Sequence, residues 1–186
     1  TFDLNDFDET VASVSGNASA TLDMGIASLV ASGNIDLRGT NILIAGAAGD
    51  TALTAGGTLQ LDDITKANTG DLTLTATGGI DLGDDVSVQA GALVLARNFT
   101  ASGDLTASTN ITFQGNGTFD GAIQTVTATA GNITDAAGQL QSKTSAGNLV
   151  LNAGGNIGVN AANRLGVAVT GGGVLRVNAT NVFAES

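Results

Sequence analysis

The chain predicts an all-β fold, a single-stranded parallel β-helix or solenoid with about 20 residues and three short strands per coil. Three observations carry that prediction. First, short runs alternate apolar with small or polar residues and are separated by turn residues. Second, matching phrases recur at a near-constant interval. Third, the composition suits a narrow, regular core better than a globular one.

Residues 69–95, TGDLTLTATGGIDLGDDVSVQAGALVL, display the first observation most clearly. The runs Leu72-Thr73-Leu74, Ile80-Asp81-Leu82, Val86-Ser87-Val88 and Leu93-Val94-Leu95 are each long enough for one face of a strand and too short for a helix. Between them lie Gly-Asp, Gly-Gly, Gly-Asp-Asp and Ala-Gly-Ala, residues that tolerate turn backbones. Successive runs begin about 6 to 9 residues apart, which is short for paired antiparallel strands. An antiparallel sandwich or barrel is the rival topology, and Asn116-Gly117 is the sole Asn-Gly hairpin signal in its favour.

The repeat interval appears when phrases are aligned. Leu72 to Leu93, Ile111 to Ile133 and Ile157 to Leu175 mark equivalent positions about 20 residues apart. One such coil cannot bury its inward residues, whereas a stack can. Inward positions are expected to take Ile, Leu, Val and Ala, and outward ones Thr, Ser, Asp and Gln. Eight or nine coils spaced about 4.8 Å apart would make a rod of roughly 40 Å, taken as right-handed although no residue sets the hand.

Composition agrees. The 186 residues contain no Pro, Cys, Trp, Tyr or His, and the six Phe are the only aromatics. Proline would remove a donor from a coil whose amides all point along the stack. Hydrophobic residues make up 42% of the chain and are patterned, which separates it from disordered sequences rich in Gly, Ser, Thr and Asn.

In chain order, residues 1–30 form an atypical acidic segment carrying Asp3, Asp6, Asp8 and Glu9, read as a cap or as the first coils. Phe2, Leu4 and Phe7 are candidates to cover an open end, and alternation begins near Val11. Residues 31–186 are read as the repeats. Strands are expected at Ile35–Leu37, Ile42–Ile44, Ala52–Leu53 and Leu59–Leu61, with residues 62–68 as a turn or small excursion. Further strands follow the stretch above at Phe99, Leu105 and Ile111, then near Phe119, Val126, Ile133 and Leu140. The closing segments are AGNLVLNAGGNIGV, LGVAV, GGGVLRV and TNVF, with Asn181-Val182-Phe183 as the last strand. A chain that starts at Thr1 is expected to be a processed or excised segment.

Seventeen acids against six bases give a formal charge of −11. That balance argues against nucleic acid and anionic membranes as partners. It keeps a long sheet surface soluble and discourages edge-to-edge association. No apolar run is long enough to span a bilayer as a helix.

The phrases Ala31-Ser-Gly-Asn-Ile-Asp-Leu37, Thr69-Gly-Asp-Leu-Thr-Leu-Thr-Ala76, Ala130-Gly-Asn-Ile133 and Ala146-Gly-Asn-Leu-Val-Leu-Asn-Ala-Gly-Gly-Asn-Ile157 resemble the shafts of filamentous-haemagglutinin-like exoproteins. These are large bacterial surface proteins, many exported by two-partner secretion. The resemblance covers about residues 31–183 and implies an extracellular or cell-surface stalk or adhesin shaft. The family's secretion domain carries an Asn-Pro-Asn type motif. This proline-free chain lacks it, so the resemblance implies a shaft segment and transfers no functional residue.

Without His or Cys, most nucleophile–base pairs and transition-metal sites are ruled out, and no enzyme activity is expected. The carboxylates Asp62, Asp63, Asp81, Asp84 and Asp85 are candidate calcium ligands, because calcium takes oxygen donors. Their alternative role is in solvated turns. The acidic start, Asp3 to Glu9, has the same two readings. No other cofactor is implied. Thr73-Leu-Thr75-Ala-Thr77 and Thr125-Val-Thr127-Ala-Thr129 suggest a flat threonine array, but the threonines do not recur in every coil. Sequons occur at Asn17, Asn98, Asn110, Asn116, Asn132 and Asn178, where Asn also suits turn ladders. The expected function is structural: a segment of an extracellular bacterial fibre, stalk or adhesin shaft, either as a passive shaft piece or as a subunit that stacks on itself through its coil ends. A carbohydrate-binding or carbohydrate-cleaving β-helix is the alternative from another class.

Overall fold

A computed structural model describes residues 1–136 and 142–185. Among the described residues, 27 short strands and no helix wind through nine coils. The strand expected near Leu140 lies outside them. Consecutive strands belong to different sheets, and each strand hydrogen-bonds to the one three places later in the chain. The result is three nine-stranded sheets. The first runs from Phe2–Asp3 to Leu175–Asn178, the second from Glu9–Val11 to Asn181–Val182, and the third from Val14–Ser15 to Ala184–Glu185. Every strand pair is parallel, so this is a parallel β-solenoid of about 21 residues per turn, not an antiparallel sandwich.

Strand alternation follows the pleat. In Leu72–Ala76, Leu72, Leu74 and Ala76 are buried while Thr73 and Thr75 face outward. The same pattern in Ile80–Leu82, Leu93–Leu95 and Ile111–Phe113 builds one aliphatic column per inward position. Leu72 pairs with Leu93 and Ile111 with Ile133, as the phrases predict. Ile157, however, pairs with Val182, and Leu175 pairs with Leu149. Coil length drifts here, so equal spacing misaligns the last two turns. It drifts because the corners absorb insertions: Leu93 lies beneath Ile111, but Gly117 lies beneath the more distant Lys143.

Corners also explain where glycine is required. Gly70 has φ +123°, and a Cβ there would sit 2.1 Å from the Gly49 carbonyl oxygen of the preceding coil. Gly117 faces the core, where a Cβ would meet the Phe99 ring at 2.2 Å. That gap lets three of the six phenylalanines share one region. Phe99 stacks on Phe113 at 5.1 Å between centroids, and Phe119 meets both rings edge-on, at 5.5 and 6.3 Å.

The core is less uniformly aliphatic than the pattern predicts. Residues 62–68 are not an excursion: Ile64–Thr69 is a six-residue strand of the first sheet with Ile64, Lys66 and Asn68 inward. Lys66 is 0% exposed. Its Nζ donates to the Gly49 carbonyl at 2.9 Å, to the Asn68 carbonyl at 3.3 Å and to the Asn68 side-chain oxygen. The Asn68 amide in turn donates to the Ala47 carbonyl at 2.6 Å. Backbone oxygens at this corner point inward, and a long ammonium side chain reaches them. Burial lowers the Lys66 pKa, with partial opposition from Asp50 and Asp71.

A second polar layer lies just beyond the phenylalanines. Asp135 sits over Phe113, Lys143 over Gly117 and Ser145 over Phe119. Lys143 is buried, pairs with Asp135, and holds its Nζ 5.3 Å from the Phe113 ring centre. Asp135 also accepts from the Gly166 amide at 3.2 Å. In the same coil the buried Gln124 amide donates to the carbonyls of Ala101 and Gly103 at 2.8 and 2.7 Å.

Two predictions follow from these buried groups. Removing one member of the ion pair leaves the other buried, so Lys143→Met or Asp135→Leu alone should lower unfolding free energy by about 3–5 kcal/mol in urea titrations. The double variant should recover most of that loss. For Lys66, the folded-state pKa lies below the ordinary 10.5, so the unfolded chain binds the extra proton between those two values. Stability should therefore rise with pH as the ordinary lysine value is approached from below. Lys66→Met should show a shallower rise in the same titration.

Candidate functional site

The solenoid offers three surfaces for function: the corners, the outward sheet faces and the two ends. At the corners, Asp and Asn side chains tie each coil to the next. Between the first and second sheets, Asp50 accepts from the Asp71 amide at 2.9 Å, and Asp71 accepts from the Ala92 amide at 2.8 Å. Farther along that corner, Asn110 accepts from the Asn132 amide and Asn132 from the Asn156 amide, at 2.8 and 2.7 Å. Between the second and third sheets, Asn98 accepts from the Asn116 amide at 2.9 Å and Asn116 from the Ser142 amide at 3.0 Å. The sequon asparagines 98, 110, 116 and 132 therefore serve in turn ladders.

The candidate calcium ligands fall in two places. Asp62 and Asp63, with Asp84 and Asp85 one coil later, lie at the corner between the third and first sheets. Asp81 lies apart, on the outer face of the third sheet, where its Oδ2 accepts from the Gln60 amide at 3.3 Å. Asp62 accepts from the Gly39 amide at 2.7 Å, Asp84 from the Asp85 amide at 3.0 Å, and Asp85 from the Asp104 amide at 2.7 Å. Asp63 is exposed. Among the described residues, no three carboxylates converge into a group suited to a metal ion. In the acidic start, Asp6 and Asp8 accept from the Ile26 and Ser28 amides of the second coil at 3.0 and 2.8 Å.

On the outer face of the third sheet runs a groove of about 820 Å³. Its floor is one register column, Gln60, Asp81, Thr100, Thr118 and Thr144, contributed by five consecutive coils. Thr58, Asn98, Asn116 and Ser142 form its corner-side wall. Among the described residues, Asp81 is the only charged one lining it. A smaller hollow of about 260 Å³ shares Gly78, Gly79 and Asn98 with the groove and carries Arg97 and Gln114. The alternation places Gln60, Asp81 and the threonines outward, but their alignment emerges only once each coil's length is known.

The ends differ from the middle. In the last coil, Leu175, Val177 and Val182 stand in register over buried Leu149, Leu151 and Ile157, yet are 36%, 39% and 49% exposed. The last strand is Ala184–Glu185, which pairs with Leu165–Val169 beyond the Asn181–Val182 strand. In the first coil Leu4 is buried, and Phe2 and Phe7 are exposed. Phe2 lies beneath Leu22, and Glu9 occupies the inward column beneath buried Leu29.

The chain matches no protein-family model, no curated protein and no solved structure. The likeness to haemagglutinin-type shafts therefore rests on the coil phrases, and the fold establishes a parallel β-solenoid.

The ladders predict how corner carboxylates respond to mutation. Asp85→Ala and Asn116→Ala should each lower unfolding free energy by about 1–2 kcal/mol in chemical denaturation, because an inter-coil amide loses its acceptor. Asp85→Asn should retain most of the stability, since an amide oxygen serves as well.

Proposed function

We propose that this chain is a structural rod segment of an extracellular bacterial fibre, stalk or adhesin shaft, and that its ends stack on further coils of the same kind. The regular stack carries the reading: nine coils share three parallel sheets and one continuous, mostly aliphatic core. The chain's net charge of −11 and its freedom from cysteine suit a soluble surface rod.

Head-to-tail stacking of two copies preserves the alternation. Leu175–Asn178 of one copy meets Phe2–Asp3 of the next, with Leu175 against Phe2 on the core side and Arg176 beside Asp3 outside. Such a heterologous contact does not close, so it propagates into a filament. Glu9 restrains it. Its backbone holds an inward register position of the first coil and its side chain is exposed, so a stacked neighbour would desolvate it.

Negative-stain microscopy of the purified chain tests this directly. Glu9→Leu should lengthen the assemblies, and Leu175→Lys with Val182→Asp should reduce them to single short rods. Single rods for both the wild type and Glu9→Leu would overturn stacking between copies.

A further inference from the structure

We infer that the groove on the third sheet is a binding site for a linear, uncharged glycan lying along the solenoid axis. Its floor repeats with the coils, so polar side chains recur about every 4.8 Å along the axis. A ligand that matches such a row must itself be a chain with repeated polar groups. Thr100, Thr118 and Thr144 supply hydroxyls that both donate and accept. Asp81 has one oxygen engaged by Gln60, leaving the other to accept. The Asn98 and Asn116 side-chain oxygens are engaged by the backbone amides of the next coil, which directs their NH₂ groups to donate elsewhere. The site therefore mixes fixed donors with fixed acceptors, the pattern that sugar hydroxyls satisfy.

The same row excludes other ligands. A polyanion, whether nucleic acid or a sulfated glycan, would meet Asp81 on the groove floor, where no described lining residue is a cation; the nearest, Arg38, is engaged by Asp36, and Arg97 lines the neighbouring hollow. A peptide adding as a strand needs an open sheet edge, and the groove lies over the middle of a sheet. Hydrolysis of a glycoside ordinarily takes two carboxylates flanking the bond, and among the described residues Asp81 is the only carboxylate lining the groove, so the inference is of binding. Binding at this flank does not depend on whether the ends stack.

Calorimetry with cellohexaose, laminarihexaose and maltohexaose, and with a heparin hexasaccharide as the anionic comparison, tests the assignment. At least one neutral hexasaccharide should bind saturably. Its affinity should fall about tenfold or more in Thr100→Val/Thr118→Val, a loss of about 1.4 kcal/mol. Valine keeps the β-branched shape, and circular dichroism checks that the sheet is retained. The control pair Thr112→Val/Thr134→Val, on the second sheet, should bind like the wild type. The inference is overturned if none of the three neutral sugars binds, if binding survives the groove variant, or if only heparin binds. Microscopy of the same samples reads stacking separately, so either conclusion can fail alone.

Discussion

The hydrogen-bonding direction governs this molecule. Strand amides and carbonyls point along the axis, toward residues about one turn away in sequence, so a coil's partner is another coil and never itself. A residue acceptable within its own strand must therefore also suit the positions above and below. Proline fails that test, which fits its absence. The ladders at the corners extend the same rule to side chains. Where the backbone turns and a coil-to-coil amide lacks a strand partner, Asp50, Asp71, Asn98 or Asn116 supplies the acceptor. The corners thus carry two functions: they absorb differences in coil length, and they restore the axial bonds that turning would forfeit.

The core obeys a second constraint, its narrow cross-section. Three phenylalanines in neighbouring coils fit because Gly117 contributes no side chain beside the Phe99 ring. Next to them, the chain places charge inside. Desolvating an ammonium costs several kcal/mol, and the two lysines offset this differently. Lys143 has a carboxylate partner in Asp135, with an aromatic face nearby. Lys66 has oxygens of neutral groups, including the Gly49 carbonyl. These polar layers specify which coil sits on which, since an aliphatic stack of near-identical turns would tolerate slippage by a whole coil. In the observed register Lys143 lies over Gly117 and reaches Asp135 and the Phe113 ring.

Much of this was legible in the residues. The runs Leu72–Leu74 and Ile111–Phe113 show a period of two, and their recurrence shows the coil, because both signals are local. Residues that depend on a neighbouring coil were harder to read. Ile64–Thr69 looks like a turn since Lys66 and Asn68 are polar, and only the inward carbonyls of the adjacent corner make those positions suitable for burial. Asp135 and Lys143 look like surface charge for the same reason. The strand at Ala184–Glu185 is too short and too polar to stand out alone; its pairing with Leu165–Val169 defines it. The groove eluded reading on similar grounds. Thr100, Thr118 and Thr144 lie at unequal sequence intervals, and only their registers bring them into one line.

A rod of this kind separates its ends from its flank, and the energetics differ accordingly. Along the flank each of five coils adds one row to the groove, so affinity for the inferred chain ligand would grow with the number of rows it covers. At the ends the outcome depends on a few residues. Covering Leu175, Val177 and Val182 would contribute about 1 kcal/mol each from their remaining exposure, and the Arg176–Asp3 contact at a wet edge at most about 1 kcal/mol. An uncompensated Glu9 carboxylate in the inward column costs several kcal/mol. These amounts are comparable, so in the proposed stacking the balance would turn on whether Glu9, exposed at the rim, can stay in solvent.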